Sequence, residues 1–174
     1  MSALEDSLKK RYASEDSTIF KHGNNYFRAA SILYDELEVG SIYPILTLLG
    51  LAVELFFKSF DVNKDEKYVE LGQGVKALTS KNVKTANKNG HSLKKLFEHY
   101  RIKDKDLYDY LVQKYQIETN RDLSTDLNKY SNLFVDCRYI FENPNQNYTQ
   151  DLDIIYKLVE FLYNTISNLF SHEC

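Results

Sequence analysis

The sequence predicts an all-α fold, a bundle of about five to six helices with an irregular insertion over 61–90. Three observations carry this. Apolar residues recur at three- and four-residue intervals through most of the chain, only two prolines and six glycines interrupt it, and 43% of its residues are hydrophobic against 27% charged. A chain of 174 residues fits one domain, read here as 1–174 with a polar leader over 1–16.

The first helix is expected over Ser17–Leu37, with Phe20, Phe27, Ala30, Leu33, Tyr34 and Leu37 on one face and Ser14 or Ser17 as its cap. Gly40 and Ser41 break the pattern, and Pro44 suits the first turn of a second helix starting near Tyr43. Ile45, Leu48, Leu49, Ala52, Leu55, Phe56 and Phe60 make that helix apolar on most sides, which places it centrally. Its hydrophobic run, Ile42 to Phe60, is about the length that spans a membrane, but Glu54 and Lys58 lie inside it. A buried bundle helix is the expectation, with no membrane partner.

Asp61 to Asn89 is the least regular part, with charged turns and two glycines; a short hairpin or a helical turn is the structure expected there. Asn89-Gly90-His91-Ser92 is a turn and cap signal for a third helix through Leu93, Leu96, Phe97 and Tyr100. A fourth runs from about Asp104 through Tyr115. Asp122 caps a fifth whose stripe is Leu123, Leu127, Tyr130, Phe134, Cys137 and Phe141, ended by Asn143-Pro144-Asn145. Thr149 caps a sixth with Leu152, Ile155, Val159, Leu162, Ile166 and Leu169.

Two cysteines, Cys137 in an apolar stretch and Cys174 at the end, make no disulfide framework, and the acidic start Met1-Ser2-Ala3-Leu4-Glu5-Asp6 is unlike a signal peptide. The expected location is the cytoplasm. Fourteen tyrosines and ten phenylalanines without tryptophan suggest rings at helix edges or at an interface between copies.

The net charge of −3 is unevenly spread. Lys76, Lys81, Lys84, Lys88, Lys94, Lys95, Arg101, Lys103 and Lys105 stand against only Glu98 and Asp104, a local +7 that leaves −10 for the rest. Such a segment suits the phosphates of RNA, although a run of lysines also serves simply to solvate a loop and a helix face.

Four charged residues stand within apolar helices. Glu54 and Lys58 are one turn apart, as are Arg138 and Glu142, and a charge in such surroundings needs a partner. Packing of the two helices would bring Glu54 to Arg138 in a polar cluster with Lys58 and Glu142. A register-fixing salt bridge and a functional site are both consistent with that cluster. His91 reads as part of a helix cap or as a base. His99 is too far along the same helix to share a metal with His91, and His172 with Cys174 lacks further ligands. No metal site and no cofactor follow. Gly72-Gln73-Gly74-Val75-Lys76-Ala77 fits a dinucleotide fingerprint in letters but lacks the ribose-binding acid about twenty positions on, so it reads as a loop glycine pair.

Ala52-Val-Glu54-Leu-Phe-Phe-Lys58, then Gly90-His91-Ser92-Leu93-Lys-Lys-Leu96, then Arg138-Tyr139-Ile-Phe-Glu142 together resemble the prokaryotic HEPN domains, over roughly Ser17 to Phe170. The resemblance implies a bundle of about five helices, usually a homodimer, in toxin-antitoxin, phage-defence or RNA-processing systems. Active members are metal-independent endoribonucleases in which an Arg precedes a His by about four to six residues. Here Arg138 is followed by Tyr, Ile, Phe, Glu, Asn, Pro and Asn, and no other arginine has a His at that spacing. The expected function is therefore a non-catalytic HEPN-type module that binds RNA or a cognate protein such as an antitoxin, nucleotidyltransferase or effector. The enzymatic alternative is an atypical endoribonuclease using Arg138, His91 and Glu54, and the structural alternative is an oligomerisation domain.

Overall fold

In the computed structural model, which describes residues 2–13, 15–72, 75–85, 89–140, 142 and 148–171, helices dominate and one two-stranded sheet interrupts them. The helices are α1 (Ser2–Tyr12), α2 (Thr18–Asp35), α3 (Ile42–Lys58), α4 (Leu93–Lys103), α5 (Lys105–Thr119), α6 (Leu123–Lys129), α7 (Leu133–Arg138) and α8 (Leu152–Phe170). The strands β1 (Val62–Gly72) and β2 (Val75–Thr85) lie between α3 and α4. The all-α bundle with an insertion is thus the fold, with more and shorter helices than the apolar stripes alone implied.

α3 is the centre. It packs against α2, α4, α7 and α8, and Ile45, Leu46, Leu49, Ala52, Val53, Phe56 and Phe57 are wholly or almost wholly buried. Two glycines set how closely its neighbours approach. A Cβ on Gly50 would lie 2.9 Å from the Phe134 amide nitrogen, so glycine is what lets the α7 backbone rest on α3. On α2, a Cβ on Gly23 would lie 2.8 Å from the Phe56 ring. No helix among the described residues is long and apolar enough to cross a membrane.

The polar leader expected over 1–16 is instead mostly helix. Leu4, Leu8 and Tyr12 are spaced by four, and this narrow stripe packs α1 on α5 and α8 with Leu8 and Tyr12 buried. Tyr12 donates to Asp104 Oδ2 at 2.5 Å and the Arg11 guanidinium sits 2.6 Å from the same oxygen, pinning α1 to the start of α5. Asp104 also caps α5 by accepting from the Leu107 amide. At α2, Ser17 occupies the cap position without a side-chain bond, and the Asp16 carboxylate accepts from the Thr18 amide instead. Ser14 lies outside the described residues.

The single fifth helix expected from Asp122 to Phe141 is two. α6 stops at Lys129, and after a turn at 130–132 α7 starts at Leu133. The turn frees the Ser131 carbonyl to accept from the Leu93 amide at 2.8 Å, and the Ser131 and Ser92 hydroxyls meet at 2.8 Å. The break in the helix is therefore what docks the start of α4. The Asn143-Pro144-Asn145 stop lies outside the described residues.

Five of the fourteen tyrosines are buried, six are half-buried at the edges of the core as expected, and three are exposed. Tyr100, Tyr110, Tyr115 and Tyr130 are essentially inaccessible. Tyr100 donates to the Phe57 carbonyl, and Tyr115 donates to the buried Asp126 at 2.7 Å.

The insertion forms one long antiparallel hairpin with register shifts after Lys67 and near Gly72. Gly72 ends β1 and Val75 opens β2, so a strand and not a helix follows the glycine pair, whose second member, Gly74, lies outside the described residues. Each strand spans about 35 Å. Among the described residues, the two strands pair with each other and pack substantially on no helix.

Candidate functional site

Glu54 sits on the face of α3 turned toward the beginning of α4, and only 5% of it is accessible. Its Oε1 receives the Lys58 ammonium at 2.6 Å, one turn along α3. Its Oε2 meets His91 Nδ1 at 2.8 Å. Both carboxylate oxygens are engaged, one from within the helix and one from 37 residues away.

Local chain geometry aims His91. Gly90 adopts φ +67°, the left-handed turn that glycine enters without strain, and Ser92 then caps α4 by accepting from the Lys95 amide. The cap is Ser92, which leaves the His91 ring for Glu54. An ionised carboxylate only accepts, so Nδ1 carries the hydrogen and the neutral ring keeps its lone pair on Nε2. The His91 side chain is 55% exposed, so this second nitrogen belongs to a ring open to solvent. The imidazole lies 5.2 Å, centroid to centroid, from the Phe134 ring.

Arg138, the last residue of α7, is exposed, with its guanidinium 5.9 Å from the Phe134 centroid and 5.2 Å from that of Tyr139. His91 and Arg138 therefore share Phe134. The expected Glu54–Arg138 pair is not formed: α3 and α7 do pack, but the Glu54 oxygens go to Lys58 and His91. The Arg138–Glu142 pairing of adjacent helical turns is also absent, because α7 ends at Arg138 and Glu142 follows in an exposed turn. The sequence-selected Glu54, Lys58, His91 and Arg138 thus form one chain of contacts through Phe134, with Glu142 outside it.

A second cluster was not foreseen. Asp61, 5% accessible and just before β1, meets His99 Nε2 at 3.1 Å and also holds the Lys103 ammonium. Each end of α4 is thus fastened to the end of α3, or just beyond it, by a buried carboxylate serving one histidine and one lysine. No spacing rule links residues so far apart; the visible signal was only a carboxylate next to an apolar run.

The nine cations of the basic segment are dispersed. Lys76 and Lys81 fall on β2 opposite Glu70 and Glu66 in the register, and Lys84, opposite Asn63, is exposed. Lys94 and Lys95 are exposed in the first turn of α4, next to His91. At the α4–α5 corner, Arg101 pairs with Glu98 at 3.1 Å, Lys103 with Asp61 and Lys105 with Asp109. Lys88 lies outside the described residues.

Among the described residues no three His, Cys, Asp or Glu side chains converge as metal ligands do; His172 and Cys174 lie outside them. Cys137 is buried, and burial with help from Asp136 pushes its thiol up to about 12, which suits packing rather than nucleophilic chemistry.

Fold and site together define an α-helical bundle with a projecting β-hairpin and a histidine–carboxylate pair at one helix start. Comparison with models of protein families, with curated proteins and with solved structures finds no match.

Proposed function

We propose that this chain is a HEPN-type helical module that binds RNA through its phosphate backbone at the His91–Arg138 face. The observation that carries the reading is the 2.8 Å bond from His91 Nδ1 to the buried Glu54, which fixes an exposed imidazole beside the ring that also carries Arg138. An arginine fork recognises phosphate oxygens, and the Nε2 lone pair of His91 can accept from a ribose 2'-hydroxyl beside them. Lys94 and Lys95 bring further positive charge to the same helix start. The resemblance to HEPN domains supplies the toxin-antitoxin or defence setting, and a cytoplasmic location suits it. A cognate protein is the competing ligand.

The same pair favours a second reading, a metal-independent endoribonuclease. A carboxylate that orients an imidazole and steadies its positive form is the arrangement general acid–base catalysis uses. His91 would take the proton of a 2'-hydroxyl whose oxygen attacks the phosphate held by Arg138; the bond to the 5'-oxygen breaks, and that oxygen leaves as a hydroxyl on receiving a proton from the imidazolium. In this reading His91, in the turn before α4, and Arg138, at the end of α7, would take the place of the missing Arg-to-His spacing.

Single-stranded RNA incubated with the chain in excess chelator separates the readings. The module predicts intact RNA and an affinity that falls steeply with salt, since each neutralised phosphate of a single strand adds about 0.7 to the logarithmic slope. The enzyme predicts cleavage, with 2',3'-cyclic phosphate ends, that His91→Gln removes. Salt-insensitive or absent binding without cleavage rejects both and leaves the protein partner.

A further inference from the structure

We propose that the cleft between α5, the turn that follows it and α8 binds a free zwitterionic amino acid with an apolar side chain. This goes beyond the RNA reading and does not rest on it, since the cleft shares no residue with the His91–Arg138 face.

The cleft measures about 390 Å³ and is lined by Tyr115, Glu118, Thr119, Arg121, Ile154 and Lys157. That lies toward the lower end of the roughly 300–1,000 Å³ of small-molecule sites, which suits a compact ligand. Its wall is built before any ligand arrives. Thr119 Oγ1 donates to the Tyr115 carbonyl at 2.7 Å and accepts from the Arg121 amide at 3.2 Å. Asn120 takes the left-handed conformation, φ 56°, that turns the chain at the end of α5. The buried Asp126 then grips Arg121 along one edge, Oδ2 receiving Nε at 2.8 Å and Oδ1 receiving Nη2 at 2.5 Å. Nη1 has no partner among the described residues, so a guanidinium already held in place keeps a donor to offer a ligand.

Charge selects the ligand. Lys157, exposed on α8, makes no ion pair among the described residues and lines the same cleft as Arg121. Two cations in one cleft suit a carboxylate. Glu118 lines the cleft as well, its carboxylate about half exposed and met by Lys114 only at 3.9 Å. A purely anionic ligand such as a phosphate monoester would face that negative group without a partner for it, whereas an α-ammonium satisfies it. An amino acid carries both charges on one carbon, and Ile154, half-buried, offers apolar surface for its side chain. A salt bridge that served only the turn between α5 and α6 would account for Arg121 and Asp126, but not for Lys157 and Glu118 of opposite sign at the same opening.

Amide NMR titration of the full chain with L-phenylalanine and L-leucine tests this beside probes that each lack one feature. Phenylpropanoate has no ammonium, phenethylamine has no carboxylate, and adenosine monophosphate carries a phosphate instead. The amino acids should shift the amides of 115–121 and 154–157 with a dissociation constant below about 1 mM, and loss of either charged group should weaken binding about tenfold or more. Glu118→Gln should weaken the amino acids about tenfold and leave phenylpropanoate no weaker, while Lys157→Gln should weaken both. Both positions are exposed, so circular dichroism should show each variant folded as wild type. No saturable shift with either amino acid up to about 10 mM, tighter binding of adenosine monophosphate, or unchanged affinity in both variants would each overturn the proposal.

Discussion

The Glu54 carboxylate and the His91 imidazole, 37 positions apart in the chain, meet at 2.8 Å with the acid buried and the base open to solvent. This asymmetry separates the two residues' contributions. Glu54 also holds Lys58, whose side chain is 16% exposed, so removing its charge leaves a largely buried cation without its counter-ion. Glu54→Gln should cost about 2–4 kcal/mol in urea unfolding. His91→Gln should cost less than about 1 kcal/mol, because the ring is exposed. Equal losses would show that the pair is a structural strut and not a presented side chain.

Gly50 makes a sharper stability prediction. A methyl group there meets the α7 backbone at Phe134, which cannot swing aside as a side chain would, so Gly50→Ala should destabilise by about 2–3 kcal/mol. At Gly40 a Cβ meets nothing within 4 Å, and Gly40→Ala should be neutral or stabilising by roughly a few tenths of a kcal/mol, because alanine lowers the entropy of the unfolded chain. Paired thermal melts read the contrast, and a tolerated Gly50→Ala would contradict the close α3–α7 contact.

Acid should release α1 first. Burial raises the Asp104 carboxyl, but hydrogen bonds from Arg11, Tyr12 and the Leu107 amide outweigh it and hold the group below its ordinary value. A carboxyl depressed in the folded state stabilises the fold fully above its unfolded value and stops doing so as pH falls through the folded one. Between about pH 5 and pH 2 wild type should therefore lose more stability than Asp104→Asn, which already lacks the charge. Hydrogen exchange should rise in α1 over the same range; parallel acid profiles for the two proteins would refute the assignment.

The hairpin should be dispensable for folding, since among the described residues its strands pack on each other and substantially on no helix. Replacing 63–84 with a short glycine-rich turn, which keeps Asp61 and its His99 and Lys103 partners, should leave the helical signal of the bundle and shift its melting temperature only slightly. Collapse of the bundle would mean the ribbon carries core contacts.

The helical stripes of α2, α3, α4, α5 and α8 were legible because apolar residues recur at helical spacing and each stripe faces the core. α1 was not, since Leu4, Leu8 and Tyr12 are diluted by seven charged or polar neighbours in eleven residues and read as a solvated leader. The hairpin was legible only as one of two options for 61–89, and its length was not: Tyr68, Val69 and Leu71 are exposed, so no alternation of buried and exposed positions marks β1. Glu54, Lys58, His91 and Arg138 were recognisable singly as polar groups within or beside apolar helices. The Glu54–Lys58 pair was legible from its one-turn spacing; the contacts of His91 and Arg138 were not, because the turn at 130–132 and the short α7 set which residues come level, and neither shows in a stripe that runs unbroken through Tyr130 and Phe134.

The central claim is that Glu54 presents His91 beside Arg138 to the phosphates of RNA, and the most direct test is fluorescence anisotropy of a labelled single-stranded RNA in chelator. Wild type, His91→Gln, Arg138→Ala and Lys84→Ala should be titrated at low and moderate salt. The account predicts that His91→Gln and Arg138→Ala each weaken binding about tenfold or more, while Lys84→Ala, on the hairpin, changes it less than about threefold. Binding that survives both site variants and is lost with Lys84 would contradict it and assign RNA to the hairpin.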